Sequence, residues 1–182
     1  MANAAPFFDG AGTVVTVLDG VQSGADVVLR PDGRIVIAGG SGGDFALARY
    51  GADGALDVTF GGGDGVVTTD IGGAERVAGL ALRTDGRLVA VGTSAGDFAV
   101  ARYNSDGSLD MTFGGGDGVV TTDLGDLEAA RDVALQTDGK IVVVGQSFAS
   151  HDTTLDFTAI RYNVDGSLDT SFSGDGVATA DI

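Results

Sequence analysis

Three imperfect copies of one unit of about 53 residues run along this 182-residue chain, and that periodicity restricts its folds more than any other feature. The stretch GDFALARYGADGALDVTFGGGDGVVTTD from Gly43 recurs as GDFAVARYNSDGSLDMTFGGGDGVVTTD from Gly96. It returns, altered, as LDFTAIRYNVDGSLDTSFSGDGVATAD from Leu155. A second block recurs in step as ADVVLRPDGRIVIAGG, VAGLALRTDGRLVAVG and RDVALQTDGKIVVVG, with Gly33, Gly86 and Gly139 spaced by 53 residues. Units of this kind bury their apolar faces against one another, so the repeat itself dictates a stacked architecture.

Within each copy the pattern is strand, turn, strand. In VALQTDGKIVVVG an apolar run reaches Asp-Gly and resumes with β-branched residues, and Asp-Gly suits tight hairpins because both residues tolerate the left-handed region. DFAVARY, NSDG and SLDMTF repeat the device, and GVVTTD adds a further extended piece rich in Val and Thr. GGAERVAGLALR and GDLEAARDVALQ come nearest to a helical period, but the matching GVQSGADVVLR breaks it, so strand is expected there too. Glycine, 32 residues against only 2 prolines, accords with many tight turns.

IVVVG and LVAVG are apolar on both faces, as strands buried on both faces are. Radial stacking of small four-stranded sheets meets that demand, and the fold class expected is all-β, a β-propeller of about three four-stranded blades per chain. Phe45, Phe98 and Phe157, Tyr50, Tyr103 and Tyr162, and Phe60, Phe113 and Phe172 occupy equivalent positions, as packing between blades requires. Residues 1–182 read as a single repeat domain, with approximate repeats 13–64, 65–117 and 118–175 and an extra C-terminal strand at 176–182.

Propellers close with about 4–8 blades, so three would leave two raw faces and open strand edges. The connecting strand occurs four times, as TVVTVLD near Thr13, GVVTTD at Gly65 and Gly118, and GVATAD at Gly176, which leaves one terminal copy spare. A homodimer closing six blades, with a strand exchanged between chains, is the expected assembly. Higher head-to-tail oligomers, or a piece of a longer repeat chain, are the alternatives.

The net charge of −16 disfavours nucleic acid and anionic lipid as partners. The chain contains no cysteine, which removes thiol chemistry and Cys-type zinc sites, and no apolar run approaches a membrane span. MANAAPFFDG lacks the charged and apolar regions of a signal peptide.

TDGKIVVVG, DFAVARYNSDGSLD and TFGGGDGVVTTD together resemble the bacterial tandem repeat called the delta-sixty repeat, over nearly the whole chain from about Phe8. The resemblance implies a β-propeller in a long, repetitive protein, often at the cell surface, and carries over no catalytic residue. Two departures stand out: only three copies are present, and the third has an insertion and a shortened glycine loop.

Few motifs carry chemistry. Calcium is the one candidate cofactor: Asn104, Asp106 and Asp110, and likewise Asn163, Asp165 and Asp169, place oxygen side chains around a glycine turn, with Asp64, Asp117 and Asp175 in adjacent loops. The same residues also suit an ordinary hairpin turn, in which Asn and Asp bond their own backbone. Gly39–Gly43 matches a G-x-S-x-G pattern around Ser41, but a strand follows it where a nucleophile elbow needs a helix, and it reads as a glycine linker. His151, the only histidine, lies with Asp152 in the third-copy insertion, and insertions in repeats often mark a binding face. Arg49, Arg102 and Arg161 recur in the ARY strand, so each is expected to pair with a repeat Asp. The function expected is a non-enzymatic structural or interaction module; the alternative is a lectin-like, calcium-assisted propeller with sites between blades or in turn loops.

Overall fold

A computed structural model of the chain describes residues 7–8, 14–15, 22–125, 127–148 and 155–181. Every regular element among them is a strand. Two short strands, β1 (Phe7–Phe8) and β2 (Val14–Val15), pair with each other. The first large sheet holds β3 (Gln22–Leu29), β4 (Ile35–Ser41), β5 (Asp44–Tyr50) and β6 (Val66–Thr69). The second holds β7 (Glu75–Leu82), β8 (Leu88–Ser94), β9 (Asp97–Tyr103) and β10 (Val119–Thr122). The third holds β11 (Glu128–Leu135), β12 (Ile141–Phe148), β13 (Leu155–Tyr162) and β14 (Val177–Ala180). Each large sheet is an antiparallel meander of four strands in chain order, the form of a propeller blade.

The hairpins sit where the turn chemistry predicts. Gly33, Gly86 and Gly139 adopt φ of 81°, 85° and 87°, which a side chain would strain, and their amides close the turns onto Arg30, Arg83 and Gln136. The segments with a weak helical period are strands β7 and β11. Each first strand carries a bulge, falling between Gly24 and Asp26, Val77 and Gly79, and Ala130 and Asp132.

Strand grouping differs from the sequence expectation. The GVVTTD segments do not open a repeat; they complete the sheet before them, with Val66 opposite Ala48 and Val119 opposite Ala101. The glycine loop after Phe60 or Phe113 turns the chain back beside the ARY strand, whose outer edge is the nearest unpaired partner. Residues 177–180, read as an extra strand, likewise pair with β13, Val177 opposite Ile160. The surplus copy is the N-terminal one, and Val14–Val15 within it pair with Phe7–Phe8. Gly39, Gly40 and Ser41 are not a linker but the end of β4. No helix among the described residues is long and apolar enough to cross a membrane.

Two apolar layers join the three sheets. Between the first and second, Val36, Ala38, Phe45, Leu47 and Phe60 meet Val77, Leu80, Leu88, Ala90 and Tyr103. Between the second and third, Val89, Val91, Phe98, Val100 and Phe113 meet Ala130, Ile141, Val143, Ile160 and Tyr162. Burying each large side chain contributes about 1.5–3 kcal/mol, so these layers carry most of the stability. The fit depends on glycine: a Cβ on Gly92 would lie 2.8 Å from the Phe45 ring and one on Gly145 2.7 Å from the Phe98 ring. Phe45 and Phe98 thus each pack against a backbone glycine of the following sheet.

Candidate functional site

The chemistry-bearing side chains gather at the seams between sheets, in two layers. In the first, Arg49 on β5 donates from Nε to Asp57 (2.9 Å) and from one terminal nitrogen to Thr59 (2.8 Å). Its other nitrogen reaches across the seam to the Ser105 carbonyl. Arg102 on β9 repeats this with Asp110 (2.7 Å), Thr112 (3.1 Å) and the Val164 carbonyl of the third sheet. Arg161 on β13 pairs with Asp169 (2.6 Å) and Ser171 (3.2 Å). All three guanidinium groups lie over a ring of their own repeat, Phe60, Phe113 or Phe172, at 4.7, 4.5 and 4.7 Å. The expected pairing of each Arg with a repeat Asp is present. It uses the Asp of the turn that follows the strand, not Asp44, Asp97 or Asp156 at the strand's start.

A second cation shares each of these carboxylates: Arg34 on Asp57, Arg87 on Asp110 and Lys140 on Asp169. The hydrogen bond from the Thr59 hydroxyl, with the neighbouring guanidinium groups, holds Asp57 far below the usual carboxylate range. Lys140 leads the corresponding depression at Asp169. At Asp110 burial pushes upward, but the Thr112 hydrogen bonds and the charges of Arg102 and Arg87 outweigh it, and the group stays low. Burial raises the Tyr162 phenol to about 12 despite its hydrogen bond with Thr122, so it stays protonated.

The turn residues read as possible calcium ligands are engaged within the protein. Asn104 donates from Nδ2 to the Ser108 hydroxyl and the Leu109 carbonyl, and Asn163 does the same with Ser167 and Leu168. Asp106 and Asp165 accept from the amide and hydroxyl of Ser108 and Ser167 respectively. Asp110 and Asp169 belong to the guanidinium seam. Asp64, Asp117 and Asp175 each accept the amide two residues on, as turn-forming Asp does. His151 and Asp152 lie outside the described residues.

The second layer was not singled out by the sequence reading. At the opposite end of β5, Asp44 meets Asp70, just past β6, and Glu75, at the start of β7, with one carboxylate oxygen of each within 4.8 Å of the others. Asp97, Asp123 and Glu128 form the same group one sheet further on. Each group therefore draws on two adjacent sheets. The signal was present in the sequence, since all three positions recur at the period of 53 residues.

A family model described as a domain of unknown function (DUF5122) beta-propeller matches residues 30–60, 83–113 and 136–172, together more than half of the chain. The chain belongs to this beta-propeller family. No curated protein matches it.

The three matched segments of the DUF5122 propeller run from the Asp-Gly hairpin to the seam phenylalanine. Each contains one complete Arg, Asp and Phe set: Arg49, Asp57 and Phe60, then Arg102, Asp110 and Phe113, then Arg161, Asp169 and Phe172. Asp70, Glu75, Asp123 and Glu128 fall between the matched segments. The family pattern thus covers the guanidinium layer in full and the acidic layer only through Asp44 and Asp97.

Proposed function

We propose that this propeller is a non-enzymatic, self-assembling interaction module in which two copies meet head to tail and close six blades about a two-fold axis. The motifs quoted above support assigning its repeats to the delta-sixty type. Support for the assembly comes from one observation: each terminal sheet presents the face that its counterparts inside the chain bury. Phe98 and Val91 are fully buried, whereas Phe157 and Val144, their equivalents on the third sheet, are 59% and 41% exposed. At the other end, Leu80 and Ala90 are buried, whereas Val27 and Ile37, their equivalents on the first sheet, are 53% and 37% exposed.

The internal seams supply the docking geometry. Phe45 packs on Gly92 and Phe98 on Gly145, so Phe157 of one copy would pack on Gly39 of the next. Arg161 would reach the Ala52 carbonyl, as Arg49 reaches Ser105 and Arg102 reaches Val164. The side chain of Arg161 is 19% exposed, against 3% for Arg102, as expected of a residue whose seam is completed by another molecule. Two such seams per dimer leave no raw face.

Light scattering after size exclusion tests the reading. A mass near twice the 18.1 kDa chain is expected, collapsing to the single-chain mass in Phe157→Ser without loss of the β circular-dichroism signal. A parent that stays at 18.1 kDa at tens of micromolar would refute it. A second reading, ligand binding between blades, has support from grooves of about 920 and 520 Å³ at equivalent positions of the two seams, lined by the glycine loops and by Asp106 or Asp165. A screen against immobilised glycans tests that reading.

A further inference from the structure

We propose that the two acidic groups, Asp44 with Asp70 and Glu75, and Asp97 with Asp123 and Glu128, are calcium sites that clamp each sheet to the next. Three carboxylates within 4.8 Å of one another repel strongly unless a positive charge lies among them. Among the described residues, Asp44, Asp70 and Glu75 form no ion pair with Arg or Lys. The carboxylates of the guanidinium layer, Asp57, Asp110 and Asp169, each have two such partners.

Glu75 supplies the independent sign of a ligand. It is 7% exposed, and its Oε1 accepts from the Gly73 amide (2.7 Å) and the Ser94 hydroxyl (3.3 Å), while its Oε2 is buried with no hydrogen-bond partner. A buried carboxylate oxygen without a donor is costly and calls for a counter-charge.

The surroundings hold the group in place before any ion arrives. The Asp70 carboxylate accepts the Gly72 amide at 2.8 Å, and the Glu75 amide donates to the Gly43 carbonyl at 2.7 Å. In the second group the Asp123 carboxylate accepts the Gly125 amide, and the Glu128 amide donates to Gly96, with the same geometry. The donor set is entirely oxygen, and three carboxylates offer up to six oxygens, the number at which calcium coordination begins. Magnesium prefers one or two carboxylates and keeps its waters, and zinc or copper would want imidazole or thiolate. Each ion would tie the start of β5 and the end of β6 to the start of β7, or β9 and β10 to β11. Binding would therefore lock blade to blade inside one chain, whatever the oligomeric state.

The test uses the full chain, stripped of divalent ions with chelator and titrated with calcium chloride by calorimetry and thermal melting. Two calcium ions per chain are expected, with a rise in melting temperature of more than about 5 °C at roughly a hundredfold excess over Kd. Magnesium chloride at the same concentration should give less than half that rise. The Glu75→Gln/Glu128→Gln variant should lose both the heat and the rise, yet melt in chelator at or above the parent, because one negative charge leaves each group. Asp44→Asn/Asp97→Asn should behave alike and guards against a variant that fails to fold. A parent that neither binds calcium nor shifts its melt at millimolar concentration overturns the proposal, and would mean that ordered water satisfies Glu75. Calcium stabilisation that survives both variants overturns it equally.

Discussion

Truncating Arg102 to alanine is the sharpest probe of the seams. The side chain is only 3% exposed and ties four groups: Asp110, Thr112, the Phe113 ring and the Val164 carbonyl of the next sheet. Removing one partner of a buried ion pair costs about 3–5 kcal/mol, since the other charge stays buried without it. Asp110 keeps Arg87 at 3.0 Å and the Thr112 hydroxyl, so its charge is not abandoned, and the expected loss lies at the lower end, about 3 kcal/mol. At this chain length that corresponds to a fall of roughly 6–12 °C in melting temperature. The same truncation in the other repeats calibrates the argument. Arg49 is nearly as buried and also crosses a seam, so Arg49→Ala should cost nearly as much. Arg161→Ala should cost clearly less when measured on the dissociated chain, because its hydrogen bonds among the described residues stay within its own sheet. Urea denaturation of the three variants at neutral pH, at concentrations low enough to keep single chains, gives the comparison. Equal losses at all three sites, or a loss under about 1 kcal/mol at Arg102, would refute the claim that the cross-seam contact carries the energy.

Two further perturbations test the packing and the electrostatics. Gly92→Ala places a Cβ 2.0 Å from the Arg76 carbonyl oxygen and 2.8 Å from the Phe45 ring, so a cost of at least about 1–3 kcal/mol is expected. Gly24→Ala, with nothing within 4 Å, should be near neutral, and thermal melts of the pair decide the matter. Acid should destabilise the fold through Asp57, Asp110 and Asp169, whose folded pKa values lie below their ordinary ones. Such groups contribute fully above the unfolded pKa of about 3.9 and lose that contribution as pH falls below it. The melting temperature should therefore drop below about pH 4, with a shallower acid limb in Asp110→Asn. An unchanged limb in that variant would exclude Asp110 as a source.

Much of the site was legible because its parts recur. An arginine repeated within a strand that is otherwise apolar had to find a carboxylate, and Asp57, Asp110 and Asp169 lie eight residues on, at the end of a tight turn. The acidic layer was harder to see. Asp44, Asp70 and Glu75 are spread over three strand ends, and Glu75 sits in GGAER, a stretch whose own pattern is ambiguous. Only the stacking of one sheet on the next brings them together.

By itself, the sequence determined the local structure: the strands, the Asp-Gly hairpins, the repeat period, and the aromatics and glycines that must pack. These follow from backbone propensity and from patterns a few residues long. Tertiary structure alone decided which four strands share a sheet. A connecting strand such as Val66–Thr69 carries no mark of its partner, and hydrogen bonding to the free edge of β5 assigns it to the sheet before it. Tertiary structure also decided which carboxylates are neutralised by arginine and which are left facing one another. Charge energies depend on distances across a seam, and no spacing along the chain encodes those.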